Sequence, residues 1–139
     1  MNDSLTPEQR SGLMRRVRTR NTAPELVLRG ALWAIGVRGW RLHPKQVTGK
    51  PDLAWIGRRL AVFVDGAFWH GHPDYYWGQS GPFWDQKIER NRARDGRVNE
   101  ELADLGWTVI RLWDFEVERD PEDCARRVAE SLCEVAGDQ

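Results

Sequence analysis

A chain of 139 residues, 40% of them hydrophobic, is sized for one domain with a substantial core and leaves no second domain to share a site. Its 21 basic and 21 acidic residues give a formal net charge of zero, which excludes a uniformly basic nucleic-acid binder but not a polarised one. The beginning of the chain has no signal-peptide apolar run and no stretch approaches the roughly 20 apolar residues of a membrane span, so a cytoplasmic protein without a membrane partner is expected.

The charge is unevenly spread. Residues 1–50 carry ten Lys and Arg against three acids, a balance of +7, whereas residues 99–139 carry four against twelve, a balance of −8. A basic beginning and an acidic end can attract phosphate locally, although two solvated helix faces would give the same count. Cys124 and Cys133, nine apart in one predicted helix, read as free thiols without a metal role.

Thr6-Pro7-Glu8-Gln9 combines an N-cap threonine, a proline at the first helical position and a glutamine at the capping-box position, so a helix starts there. It carries Arg10, Arg15, Arg16 and Arg18, while Leu13 and Met14 are too few for a core stripe. Such a helix suits docking on nucleic acid or weak packing on the body. Thr22-Ala23-Pro24-Glu25 repeats the pattern, and Leu26, Leu28, Leu32, Trp33 and Ile35 predict a buried helix ending at Gly36. Glu25 reads as a capping-box acid, as a site acid, or as both. Residues 40–42 predict a short strand, and the loop over residues 43–50 brings Lys45 and Lys50 toward Asp52. His43 reads as a surface or nucleic-acid-facing residue, not as a ligand.

Residues 50–74 carry the densest chemistry. Asp52 opens a short apolar strand, Gly57-Arg58 signals a turn, and residues 60–64 are β-branched and aromatic, which together predict a hairpin. Asp52 at the start of one strand and Asp65 at the end of its partner can approach each other closely enough to hold a divalent cation. Pro51-Asp52 and Asp65-Gly66 are also ordinary turn chemistry. Phe68-Trp69-His70-Gly71-His72 suits neither strand nor helix; two aromatics beside two histidines between glycines mark a loop that does chemistry or recognition. Residues 75–78 extend the aromatic surface.

Over residues 82–105, Trp84, Ile88, Asn91, Asp95, Val98, Leu102 and Leu105 recur in steps of four and three and predict one helix face. Asn91 and Asp95 interrupt it, and burying an unpaired polar group costs roughly 1–3 kcal/mol. Either they pair with each other or something in a site pairs them. Gly106 ends that helix, and residues 107–113 predict a buried strand parallel to residues 60–64 after a crossover. Asp120-Pro121-Glu122-Asp123 caps a final amphipathic helix to about residue 135. The order of elements gives an α/β fold with a mixed central sheet and helices on its faces.

Pro51-Asp52 followed by Val62-Phe63-Val64-Asp65-Gly66-Ala67-Phe68-Trp69-His70-Gly71-His72-Pro73 resembles the very-short-patch repair endonucleases, strand-specific DNA nickases. The resemblance runs from about Arg10 to Trp113. It implies the three-layer restriction-endonuclease-like fold of the PD-(D/E)xK superfamily, one domain over residues 1–139 with a basic DNA-contacting arm over residues 1–20. That superfamily usually places a lysine two residues after a second acid. The strand here reads Val62-Phe63-Val64-Asp65 without it, so the base must come from elsewhere, and His70 is the best candidate because an imidazole near neutral pKa can take a proton from water. By resemblance, Asp52 and the main-chain carbonyl of Val64 hold Mg²⁺ or Mn²⁺, Asp95 orients His70, Glu25 supports the metal-bound water, and Asp65 stands where the best-known member has a histidine and either ligates the metal or holds it through water. Met14, Arg15, Arg16, Arg18, Lys45, Lys50, Phe68, Trp69, His72, Trp84 and Asn91 are the expected DNA contacts. Phe68, Trp69 and Trp84 would wedge into the base stack, although core packing is a ready alternative for Trp84.

The implied activity is nicking of one strand of double-stranded DNA at a T:G mismatch by a nucleoid-associated enzyme, monomeric on DNA, with room for mismatch-repair or methyltransferase-linked partners. A defence nuclease acting on other or modified DNA and a non-catalytic DNA binder are the alternatives; an inactivated scaffold would not need Glu25, Asp52, His70 and Asp95 together. Well-known members hold a structural zinc with three cysteines and a histidine. The matching positions here are Ala67, His72, Asp74 and Phe115, so no structural zinc is expected. Ala67 and Phe115 are expected to pack together, with His72 free to face DNA or the metal-bound water.

Overall fold

The computed structural model describes residues 22–67, 70–74 and 81–137. The arm helix with Met14, Arg15, Arg16 and Arg18, the wedge residues Phe68 and Trp69, and the aromatic run at 75–78 lie outside them. In chain order the elements are α1 (Ala23–Ala34), β1 (Arg41–Leu42), β2 (Leu53–Trp55), a 3-10 turn (Ile56–Arg58), β3 (Leu60–Asp65), α2 (Pro82–Asp104), β4 (Thr108–Trp113), α3 (Asp114–Arg119) and α4 (Pro121–Gly137).

The sheet has the order β1-β2-β3-β4. β1 and β3 run antiparallel to β2, while β4 runs parallel to β3, as the crossover through α2 requires. This is the mixed sheet flanked by helices that the sequence predicts. The short α3, absent from that prediction, fills the corner between β4 and α4. There Trp113 and Glu116 form the capping interaction, with Glu116 Oε1 accepting the Trp113 amide at 3.0 Å.

Side-chain alternation along β3 assigns its two faces. Leu60 and Val62 join Leu28, Leu32, Leu53, Leu112, Val117, Val128 and Leu132 in the larger core beneath α1, α3 and α4. Ala61 and Phe63 turn the other way, toward Val47, Leu102, Val98 and Val109 on the α2 side. By the same period Asp65 and Arg111 belong to the α2 side, and so does Asp52. The acids thus share a face with α2 and its Asp95.

Helix α1 is narrower in its contact than predicted. Leu28 and Leu32 are wholly buried, but Leu26, Trp33 and Ile35 are more than half exposed. The buried stripe is Glu25, Leu28 and Leu32, at steps of three and four; Leu26 and Trp33, seven apart, occupy the opposite face. Trp33 is covered instead by Arg38, whose guanidinium carbon sits 3.2 Å from the ring centroid and whose Nη1 donates to the Trp33 and Val37 carbonyls at 2.9 Å each.

At the end of α2, Leu105 departs from the predicted face and is 57% exposed, because the helix has already closed. Gly106, at φ +84°, and Trp107 donate to Ala103 and Leu102 at 3.0 and 2.8 Å, a Schellman ending. At the start of α4, Asp120 accepts the Asp123 amide at 3.1 Å and caps the helix as the sequence suggests.

Candidate active site

The β1–β2 loop delivers Asp52 by a close approach. Gly49 sits at φ +81°, and a Cβ there would lie 2.5 Å from Val98 Cγ1 of α2 and 3.3 Å from the Phe63 ring. Only glycine lets the loop pass under α2 before Pro51 and Asp52 enter the sheet edge.

Asp52 is fixed on both oxygens. Oδ2 accepts the Val64 amide at 2.6 Å, and Oδ1 lies 3.4 Å from His43 Nε2. The same His43 nitrogen is 3.1 Å from Glu25 Oε2, so the imidazole bridges the two acids. The sequence reads His43 as a surface or nucleic-acid-facing residue and not as a ligand. It is largely buried instead, because the β1–β2 register of Leu42 with Leu53 continues to set it opposite Asp52, where its amide donates to the Asp52 carbonyl at 3.4 Å. The left-handed φ of +45° at His43 accompanies that placement. Glu25 is 3% exposed, and the Thr22 side chain makes no capping bond, so the Thr22 half of the capping box is not formed.

Burial pushes the Asp52 carboxyl up to about 8; the Val64 amide pulls it down, and the nearby Glu25 and Asp65 charges raise it again. Among the described residues no lysine or arginine pairs with Asp52. Glu25, His43 and Asp52 present ligand atoms within 4.8 Å of one another. Hard carboxylate oxygens crowded at a buried point suit a divalent cation.

A second group stands beside the first. The loop after β3 folds back through His70 N to Gly66 O at 3.0 Å and His72 N to Ala67 O at 2.8 Å. Its base is anchored by Asp114, whose Oδ1 accepts the Ala67 and Phe115 amides at 3.2 and 2.8 Å. This turn sets His70 Nδ1 in a short hydrogen bond with Asp95 Oδ2. Asp95 comes from the middle of α2, seven residues from each of the buried Ile88 and Leu102. Its pairing settles the two readings of Asn91 and Asp95: they do not pair with each other. Asp95 bonds His70, and Asn91 Oδ1 accepts from Arg94 at 3.1 Å.

Burial pulls the His70 imidazole down, but the Asp95 hydrogen bond and the Asp65 and Asp95 charges outweigh it and hold its pKa above the ordinary value. Burial likewise raises Asp65, against the pull of His70 and Arg111.

One cavity of about 850 Å³ joins both groups, lined by Glu25, Asp52, Val64, Asp65, His70 and Asp95. Lys50, Lys87, Asn91 and Arg94 also line it, and so does Trp84, half-buried against the exposed Phe83 at 4.7 Å between ring centroids. Trp84 therefore belongs to the cavity wall and not to the core. Lys45 is exposed and does not line the cavity.

The family model described as DNA mismatch endonuclease Vsr matches residues 2–76. The chain belongs to the Vsr family of DNA endonucleases. It is 39% identical to the type II nicking enzyme V.NmeDIP of Neisseria meningitidis serogroup C, covering 97% of this chain and 93% of the relative. It is 46% identical to the type II nicking enzyme V.XorIIP of Xanthomonas oryzae, over 84% and 88%. It is 34% identical to the DNA mismatch endonuclease Vsr of Escherichia coli, over 91% and 77%. The restriction-endonuclease-like sheet with helices on both faces accords with this membership. No helix among the described residues is long and apolar enough to cross a membrane.

Of the four positions that the resemblance matches to zinc ligands, His72 and Phe115 meet ring to ring, Ala67 is buried and Asp74 is exposed. His72 accepts the Asp74 amide on Nδ1 at 3.0 Å, and its ring meets Trp113 and Phe115 edge-on at 4.7 and 5.0 Å between centroids. The freedom expected for His72 is not there: the imidazole packs against Phe115, while Ala67 is buried beneath the loop. The reason lies in β4, which ends at Trp113 and hands the chain directly to Phe115, bringing two rings to one histidine.

Reading the sequence missed His43, Arg111, Asn99 and Asp114. Arg111 left a signal, being a lone charge among Val109, Ile110, Leu112 and Trp113 on the face that Phe63 and Asp65 share. His43 left only its place one residue beyond a two-residue strand.

Proposed function

We propose that this Vsr-family endonuclease nicks one strand of duplex DNA at T:G mismatches, the lesion left by deamination of 5-methylcytosine, with Asp52 and Glu25 at a divalent-cation site and His70 as general base. The observation that carries the reading is the bond between His70 Nδ1 and Asp95, in a cavity that Asp52 also lines. A carboxylate acceptor on Nδ1 selects the tautomer with its proton there, which leaves the lone pair on Nε2 to take a proton from water.

Glu25, Asp52 and the Val64 carbonyl are the groups that would hold Mg²⁺ or Mn²⁺, with His43 tying the two carboxylates together from behind. A cation held by these groups would supply polarisation of the scissile phosphate and charge stabilisation for the leaving oxygen. Asp52 is held in register by the Val64 amide, so its free lone pairs keep one direction. Lys50, Lys87 and Arg94 at the cavity rim suit the phosphates on either side of the break. Trp84 and Phe83 supply apolar surface for a partly unstacked step, the role the sequence also suggests for Phe68 and Trp69, and a mismatch costs less to unstack than a matched pair.

The Neisseria and Xanthomonas relatives are named nicking enzymes and not mismatch endonucleases, which supports a second reading, in which the chemistry is the same and the target is other or modified DNA. Supercoiled plasmid with Mg²⁺, followed by matched and T:G duplexes, separates the two. Nicked circles and preferential cleavage of the T:G strand are expected. Equal cleavage of matched and mismatched duplexes would remove the mismatch assignment, and no nicking at all would remove the catalytic one.

A further inference from the structure

Two carboxylates lie within reach of one imidazole N–H. His70 Nδ1 is bonded to Asp95 Oδ2, yet Asp65 Oδ1 is only 3.9 Å from the same nitrogen. Arg111 of β4 stands against both acids. Its Nη1 is 3.0 Å from each Asp65 oxygen and 3.6 Å from Asp95 Oδ1. Its Nε donates to Asn99 Oδ1 at 2.8 Å, and its guanidinium carbon lies 4.1 Å from the centroid of Phe63, its neighbour in the β3–β4 register. Asp65, His70 and Asp95 have ligand atoms within 4.8 Å of one another, the makings of a cation site, and Arg111 places a permanent positive charge there.

We propose that Arg111 is the positioning residue for His70: by engaging both oxygens of Asp65 it leaves Asp95 as the acceptor of the Nδ1 proton, which fixes the ring and keeps the lone pair on Nε2. The proposal rests on the reading of His70 as the base. A single N–H shared between two acceptors bonds each less well than it bonds one, so an unengaged Asp65 would compete for it and turn the ring. A guanidinium suits the task because its planar array of five donors reaches Asp65, Asp95 and Asn99 from one position. The cation that the superfamily usually places on the β3 strand comes here from the adjacent strand, and it orients the base instead of touching the water.

A double-mutant cycle on the full chain, read as single-turnover cleavage of duplex DNA, tests this. Arg111→Gln should slow cleavage about 10²-fold, the cost of a reacting group displaced by about an ångström, while DNA affinity stays within about threefold. Asp65→Asn should also slow cleavage, because the Arg111 charge then falls on Asp95 alone and competes with His70. The combined variant removes the competitor together with the group that restrains it, and should cleave faster than either single variant. If Arg111→Gln fails to fold, the comparison of Asp65→Asn with the double variant, neutral at both positions, decides alone. Nitrogen-15 shifts of His70 give a readout that plain packing would not move: Nδ1–H in the native protein, a tautomer mixture in Arg111→Gln, and Nδ1–H again in the double variant. Multiplicative losses around the cycle, or a His70 tautomer indifferent to Arg111→Gln, would overturn the proposal. Undiminished cleavage by His70→Ala would instead remove the base itself, and the proposal with it.

Discussion

The cavity holds two groups of donors built to opposite electrostatic designs. Around Asp65, His70 and Asp95 the protein has installed its own cation, Arg111, and the carboxylates are ion-paired in place. Around Asp52 the partners are the neutral Val64 amide and the His43 imidazole, and burial holds the carboxyl at about 8. A buried acid so far from its ordinary range stores a demand for positive charge. On the proposed reading, the group in which no described lysine or arginine pairs with Asp52 takes a cation from outside, and the group around Arg111 keeps a histidine still. On that reading, the division separates metal binding from proton transfer in a chain without the superfamily's lysine.

The sharpest way to break this division is Asp52→Asn. Loss of a ligand that fixes several kcal/mol of transition-state stabilisation should cut the cleavage rate by at least about 10³-fold while leaving DNA affinity nearly intact. Near wild-type cleavage would move the metal elsewhere. His70→Ala should cost about 10²- to 10⁴-fold, the range of a lost general base. Because the His70 pKa is raised, the remaining wild-type rate should climb with pH through that raised value, as the neutral base forms. A loss under tenfold would shift the role toward Asp65.

Stability should carry the same contrast. In chelator-treated protein the folded Asp52 keeps its proton up to about 8, whereas the unfolded chain loses it near 3.8. Between those values the native state binds more protons than the unfolded one, so stability must fall as pH rises. The raised His70 acts in the same direction, since its contribution is complete below its unfolded value and is lost as pH passes the folded one. Melting temperatures of the metal-free protein should therefore decline from pH 4 to 8, and Asp52→Asn should flatten much of that slope. An equally steep decline in the variant would show that Asp52 is not the group responsible. Smaller in effect, deletion of residues 1–18 should flatten the dependence of log affinity on log salt, as lost arginine–phosphate contacts require; an unchanged slope would make the arm a packing element. The smallest expected change is with the His72 corner: elemental analysis should find no stoichiometric zinc, and chelator should stop cleavage while leaving the melting transition at pH 5 nearly unmoved. One firmly held zinc per chain would contradict the packing account of His72 and Phe115.

Much of this was legible from local pattern. The parallel pairing of β3 with β4 follows from an apolar strand, a long periodic helix and a second strand. Asp95 announced itself as a carboxylate on a buried heptad, and its partner His70 by the loop it occupies. His43 was illegible for a physical reason: its position depends on the register of a two-residue strand whose residues are both exposed, and no periodicity survives over so short a run. Arg111 is a lone charge in an apolar strand, and only the pairing of β4 with β3 brings it to Asp65. In α1 the five apolar residues promised a broad buried face. Helical geometry grants burial to only two of them, and the tryptophan finds its cover in Arg38.

Calorimetric titration of Mg²⁺ into the protein bound to uncleaved duplex, comparing wild type with Asp52→Asn and Asp65→Asn, tests the division most directly. Asp52→Asn should abolish the binding isotherm, and Asp65→Asn should leave one cation bound with an affinity within about fivefold of wild type, a difference of about 1 kcal/mol. Loss of the isotherm in Asp65→Asn, with binding retained in Asp52→Asn, would place the cation beside His70 and reverse the two roles.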